Sequence, residues 1–166
     1  MDKIGWIKDL VLAEQQMEDS GIIDMTAGFD PERELEGATS DFLGDMKAAF
    51  IESSAAFNQL KGSAVGTIKI YGISKTKADF MLFRNGHKLI FSMRGAGIIS
   101  VNMSTTAPMF IPGQNAGEAT GPGPLDLLKA RWGAYGELLW TSNDLPVNMD
   151  YLVRYYMCRF VRDSAK

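Results

Sequence analysis

Ser74-Lys75-Thr76-Lys77 places a hydroxyl three residues ahead of an ammonium, the S-x-x-K spacing of serine acyl-enzymes. That chemistry needs a helix to bring the lysine one turn below the serine. Here the tetrad lies between two strand-like runs, with no companion motif. A Ser–His–acid arrangement would have to use His87, the only histidine in the chain. His87 follows Asn85-Gly86, a hairpin-turn dipeptide, so it is expected to sit exposed on a hairpin tip. Asp30, Glu32, Glu34 and Glu36 offer paired carboxylates, but in a polar stretch where solvation keeps carboxyl groups ordinary. Catalytic acids need burial or a like-charged neighbour in a cleft. The spacing of these four also departs from that of a calcium-binding loop. With one histidine and one cysteine, the chain has no Cys/His zinc site, Fe–S cluster or disulfide framework. Gly95-Ala96-Gly97 and Gly121-Pro122-Gly123 lack the third glycine of a dinucleotide loop. The sequence therefore assigns no catalytic, cofactor-binding or metal-binding residue. No cofactor is expected, and the balance leans away from an enzyme.

Charge is the more informative feature. The net charge of −3 conceals a division along the chain. Residues 14–52 carry eleven acids against Arg33 and Lys47, which is −9; residues 53–166 carry thirteen Lys or Arg against seven acids, which is +6. The basic part includes Lys69, Lys75, Lys77, Arg84, Lys88 and Arg94, then Arg154, Arg159 and Arg162. A pI near 5.2 argues against a general phosphate binder. Lysines and arginines on strands also serve to block edge-to-edge aggregation. The acidic stretch is expected to contact the basic one, in the same chain or in a neighbour, through pairs that salt would screen.

The longest apolar runs, such as Leu10 to Ala13, span about four residues, against roughly 7–15 in a signal peptide and about 20 in a membrane helix. A cytoplasmic chain with no membrane partner is expected. The length suits one domain, residues 1–166.

Elements to position these residues follow from periodicity. Residues 3–18 read as a peripheral N-terminal helix with Ile4, Ile7 and Val11 in one stripe. Residues 19–38 read as an acidic connector punctuated by Gly21, Gly28, Pro31 and Gly37. Residues 40–61 form the clearest helix: Leu43, Met46, Phe50, Ser53, Phe57 and Leu60 repeat at three- and four-residue steps. Thr39, Ser40 or Asp41 is its expected cap and Gly62 its stop. Strands are expected at 68–71, 80–83, 89–91 and 98–101, as an antiparallel meander. The Asn85-Gly86 turn sets Leu82 opposite Leu89, Phe80 opposite Phe91, Met81 opposite Ile90 and Phe83 opposite Lys88. Both faces of the meander are expected to be apolar, one with Phe80, Leu82, Leu89, Phe91 and Met93, the other with Met81, Phe83, Ile90, Ile99, Val101 and Met103.

Residues 105–124 read as a long loop holding four of the six prolines, with Met109, Phe110 and Ile111 as an apolar island. A short helix is expected over 125–131, a fifth strand over 137–141, and a last helix over 148–163 capped by Asn148. Cys158 is expected to be a buried free thiol. The fold class is α+β: a four- to five-stranded antiparallel meander packed against helices 40–61 and 148–163, with an additional N-terminal helix.

These features point to a non-enzymatic protein-binding module, such as an adaptor, a chaperone-like protein or an assembly subunit. Its partner is another protein or a second copy, as a homodimer or higher oligomer. Ten methionines suit an adaptable apolar surface. The residues assigned to binding are Tyr151 and Tyr155, Met109, Phe110 and Ile111, and the acids Asp30, Glu32, Glu34 and Glu36. Two alternatives stand beside it. One is a small-molecule-binding domain or cryptic enzyme with a pocket under the 105–124 loop, walled by Trp132, Tyr135 and Trp140. The other, less favoured, is nucleic-acid binding through the basic sheet region.

Overall fold

The computed structural model describes residues 4–105 and 125–165. Asp30-Pro31-Glu32 starts the longest helix. Asp30 holds an extended backbone and accepts a hydrogen bond from the Arg33 amide, and Pro31 needs no amide partner in the first turn. Glu32 and Glu34 lie where the helix dipole favours negative charge. This helix therefore spans Pro31–Lys61, nine residues longer toward the N-terminus than expected. It follows α1, Gly5–Ser20, and is α2; the true connector is residues 21–30. Thr39, expected at a cap, is buried inside α2, where its hydroxyl donates to the Leu35 carbonyl and accepts from the Gly97 amide at 2.8 Å. Gly62 ends α2 with φ of +70°, as expected of a glycine stop.

The strands are β1 Lys69–Gly72, β2 Phe80–Arg84, β3 His87–Gly95, β4 Ile98–Thr105, β5 Asp126–Trp132, β6 Leu138–Ser142 and β7 Leu145–Pro146. They form one antiparallel sheet in sequence order. The α+β class stands, with seven strands among the described residues rather than four or five. Helix α3, Met149–Asp163, closes the chain, with Asn148 accepting from the Asp150 and Tyr151 amides as expected. The region expected as a helix, 125–131, is strand from Asp126 onward. Leu128 is buried while Leu127 and Lys129 are exposed, an alternation of period two that pairing with β4 selects over the helical start offered by Pro124.

The Asn85-Gly86 turn has φ of +50° and +80°, and the β2–β3 register is the one it implies. The next hairpin departs from expectation. A bulge between Met93 and Gly95 shifts the ladder by one residue, so Met93 faces Ile99 and Phe91 faces Val101. A one-residue shift exchanges the faces of a strand. Ile99, Val101 and Met103 therefore join Phe80, Leu82, Leu89 and Phe91 on one side of the sheet, not the opposite side. Leu43, Met46 and Phe50 of α2 and Leu152, Val153, Tyr156 and Phe160 of α3 complete the core on that side. The α2 seam runs through Ser54 rather than Ser53 and ends at half-buried Phe57; Leu60 is exposed.

Helix α2 crosses the sheet. Phe42 stacks on Trp140 of β6, Phe50 packs against Phe80 and Phe91 of β2 and β3, and Asn58 exchanges two hydrogen bonds with Ile68 ahead of β1.

Candidate functional site

Both helices that bury residues lie on one side of the sheet. The core cluster and the residues packed against it contain none of the side chains on the other side. The registers define that open side. It carries Lys69 and Tyr71 of β1, Met81 and Phe83 of β2, and Lys88, Ile90 and Ser92 of β3. Ser100 and Asn102 of β4, Leu127, Lys129 and Arg131 of β5, and Leu139 of β6 continue it. Its apolar residues form two patches on either side of β4, with Tyr71, Leu127 and Leu139 exposed and Met81, Phe83 and Ile90 half-buried. Arg94 joins this side by donating to Ser100 Oγ at 3.0 Å. The strands place five cations on it and no carboxylate, and Arg131 alone meets one, Asp144 in the β6–β7 turn at 3.2 Å. Alternation explains the pattern: an antiparallel sheet with one covered face puts its polar residues on the other. The retained aromatic and aliphatic side chains are what a simple wet face would lack.

The second unusual surface is the N-terminal arm. Helix α1 buries none of its residues. Ile7, Leu10, Val11 and Met17 fall on one helical face and are 43%, 42%, 50% and 39% exposed. The connector turns back against this helix. Gly28 has φ of +80°, and the Leu10 side chain lies 3.1 Å from where a β-carbon would stand. Asp24 fixes the turn by accepting from both the amide and the hydroxyl of Thr26, which holds its carboxyl below the usual range. Phe29 then anchors the arm edge-on against Trp132, with ring centroids 5.5 Å apart. Trp132 pairs with Leu138 on the helix-covered side, so the arm leaves the domain on that side.

The residues singled out from sequence are dispersed. Tyr151 and Tyr155 stand exposed on α3, one turn apart; Tyr155 accepts from Arg159 Nη1 at 3.4 Å and packs edge-on against Tyr156. Asp30, Glu32, Glu34 and Glu36 belong to the start of α2, where Asp30 is a cap. Of these, Glu36 pairs with Lys77 at 2.8 Å; that hydrogen bond lowers the Glu36 pKa and raises that of Lys77. No hydrogen bond or ion pair joins the two tyrosines to the four acids among the described residues. Met109, Phe110, Ile111 and the 105–124 loop as a whole, with the pocket expected beneath it, lie outside the described residues apart from Thr105, the last residue of β4. Trp132, Tyr135 and Trp140 do not wall one pocket: Trp140 is in the core and Tyr135 is 98% exposed at the β5–β6 turn. Cys158 is exposed, not buried, because α3 turns Tyr156 and Phe160 inward on either side of it. His87 is half-buried opposite Arg84 rather than exposed on a tip.

Arg84 is a buried cation that sequence reasoning left among the surface bases. It is 6% exposed. Its guanidinium donates to the Gly66 carbonyl at 2.7 Å, the Val161 carbonyl at 3.0 Å and Ser164 Oγ at 3.1 Å, and lies 5.3 Å from the Phe57 ring centre. Helix α3 ends at Ser164 without a left-handed glycine, so its last carbonyls need partners from elsewhere. Arg84 and Asn85 supply them, Asn85 donating to the Ser164 carbonyl at 2.8 Å. The negative end of the helix dipole takes the place of a carboxylate counter-ion. This cluster is a structural clamp. Among the described residues, no group of His, Cys, Asp and Glu converges as a metal site and no helix is long and apolar enough to cross a membrane.

No protein-family model, no curated protein and no solved structure matches the chain.

Proposed function

We propose that this chain is a non-enzymatic protein-binding module that works through the open face of its sheet. The observation that carries the reading is the pairing of exposed Leu127, Leu139 and Tyr71 with Lys69, Lys88 and Lys129 on a face that no described helix covers. Apolar area framed by charges of one sign suits an acidic, apolar protein surface. The exposed arm and the Tyr151–Tyr155 edge of α3 extend the available contact area.

The test places a photo-crosslinking amino acid at Leu127 in the full chain, with a control at exposed Gln59 on α2. The captured protein is identified by mass spectrometry, purified, and titrated against wild type and Leu127→Glu. Specific capture at Leu127, with affinity lost in L127E, is the expected result. Absence of any adduct specific to Leu127 refutes the reading.

Nucleic acid is a second reading, favoured by the same five cations and by Tyr71 and Phe83 as stacking surfaces. It requires binding to a single-stranded oligonucleotide that weakens steeply as salt is raised.

A further inference from the structure

We infer that the occupant of the open sheet face is helix α1 of a second copy of this chain, so that two copies exchange arms about a twofold axis. This rests on the protein-binding reading and names its partner. Three observations carry it.

The first is complementarity. Residues 7, 10, 11, 14, 17 and 18 share one face of α1, so Glu14 and Glu18 lie within the stripe formed by Ile7, Leu10, Val11 and Met17. Helix α1 as a whole carries Lys8 against Asp9, Glu14, Glu18 and Asp19, a charge of −3. The open face offers the reverse combination, apolar patches on either side of β4 with Lys69, Lys88 and Lys129 and no carboxylate from its own strands. Neither set of charges is paired among the described residues.

The second is size. Sixteen residues make α1 about 24 Å long. Seven strands span about 29 Å. A helix laid across the strands, as α2 lies on the covered side, would reach both apolar patches.

The third is reach. The connector packs on α1 at Gly28 and is pinned to Trp132 by Phe29, on the covered side of its own sheet. Folding back onto its own open face would carry the arm around the sheet and break the Phe29–Trp132 contact. Docking on a neighbour leaves it intact. Because each copy has one arm and one face, the exchange closes with two chains.

The test uses full chains in a Cys158→Ser background. Separately purified V11C and L127C proteins are mixed and mildly oxidised, with Q59C replacing L127C as control, and a V11C/L127C double variant is oxidised alone. A V11C–L127C heterodimer, absent with Q59C, is the expected product. An intrachain disulfide in the double variant overturns the inference in favour of a folded-back arm; no disulfide at all also overturns it. Light scattering gives an independent reading. Wild type should be dimeric. E14K/E18K and K88E/K129E, each checked for folding by circular dichroism, should both weaken the dimer about tenfold or more, and mixing the two should restore it. A monomeric wild type whose Leu127 probe still captures another protein overturns arm exchange and leaves the protein-binding reading intact. A monomeric wild type without any capture overturns both.

Discussion

Replacing Arg84 with methionine keeps the length and packing of the stem and removes only the guanidinium. In the folded protein three hydrogen bonds from a charged donor disappear, to Gly66 O, Val161 O and Ser164 Oγ. Bonds of this kind contribute roughly 1.5–3 kcal/mol each. The contact with the Phe57 ring adds about 1 kcal/mol. Against this, burying a cation costs several kcal/mol, which the variant recovers. Two acceptors also keep a weak partner, because Lys61 Nζ lies 3.3 Å from the Gly66 carbonyl and Ser164 Oγ lies 3.5 Å from that of Val161. The net expectation is a loss of about 2–4 kcal/mol for R84M. R84K should recover less than half of it, since one ammonium cannot serve acceptors on both sides of the clamp. Urea unfolding followed by tryptophan fluorescence measures the change, valid if the slope with denaturant is unaltered. If R84M stays within about 0.5 kcal/mol of wild type, the clamp does not hold α3 to the sheet, and the helix dipole is not an adequate counter-charge.

Burial first, and then the 2.5 Å hydrogen bond donated to Asp126, raise the pKa of the Tyr156 hydroxyl above its ordinary value of 10.0. A raised pKa means the stabilisation is complete below pH 10 and is lost as pH climbs toward the folded-state value, so wild type should lose stability above pH 10 more steeply than Tyr156→Phe, by at most about 1.4 kcal/mol per pH unit and less where solvent screens the pair; equal slopes in alkaline urea titrations would remove this role. Gly37 lies inside α2 with nothing within 4 Å of where a β-carbon would stand, so G37A should stabilise the protein by about 0.5–1 kcal/mol, whereas a neutral result in thermal unfolding would return residues 31–38 to a flexible connector.

Elements whose evidence is local were legible in the sequence. Asn85-Gly86 dictates its own turn and through it the whole β2–β3 register, because few residues accept positive φ at both positions. Asn148 and Gly62 mark helix ends by the same kind of short-range chemistry. The start of α2 was equally local, but Gly37 and the density of acids concealed it; Asp30-Pro31-Glu32 was the signal that outweighed them. Residues 125–131 were not decidable locally. A short run with alternating leucines fits either period, and the β4 edge supplied the partner that settled it. Arg84 shows a further limit. Nothing in Phe83-Arg84-Asn85 reveals that a helix end 77 residues later will need its donors.

The open face of the sheet depends on the least legible feature of all, the bulge between Met93 and Gly95. Without the extra residue, Ile99, Val101 and Met103 would face away from the helices, and Ser92, Ser100 and Asn102 would no longer share one side. The core would then lose three large side chains, and the open side would become continuously apolar, a template for aggregation. With the bulge, β4 brings small polar residues to the open side between the apolar patches of β2–β3 and β5–β6. The face is therefore divided, wetted and basic, which favours a charged, amphipathic visitor over indiscriminate sticking. An arm that carries its two glutamates inside its apolar stripe meets that description, and a uniformly apolar helix would not. Under the arm-exchange proposal, the charge division along the chain would act between one helix and one sheet face, and a single inserted residue would set it.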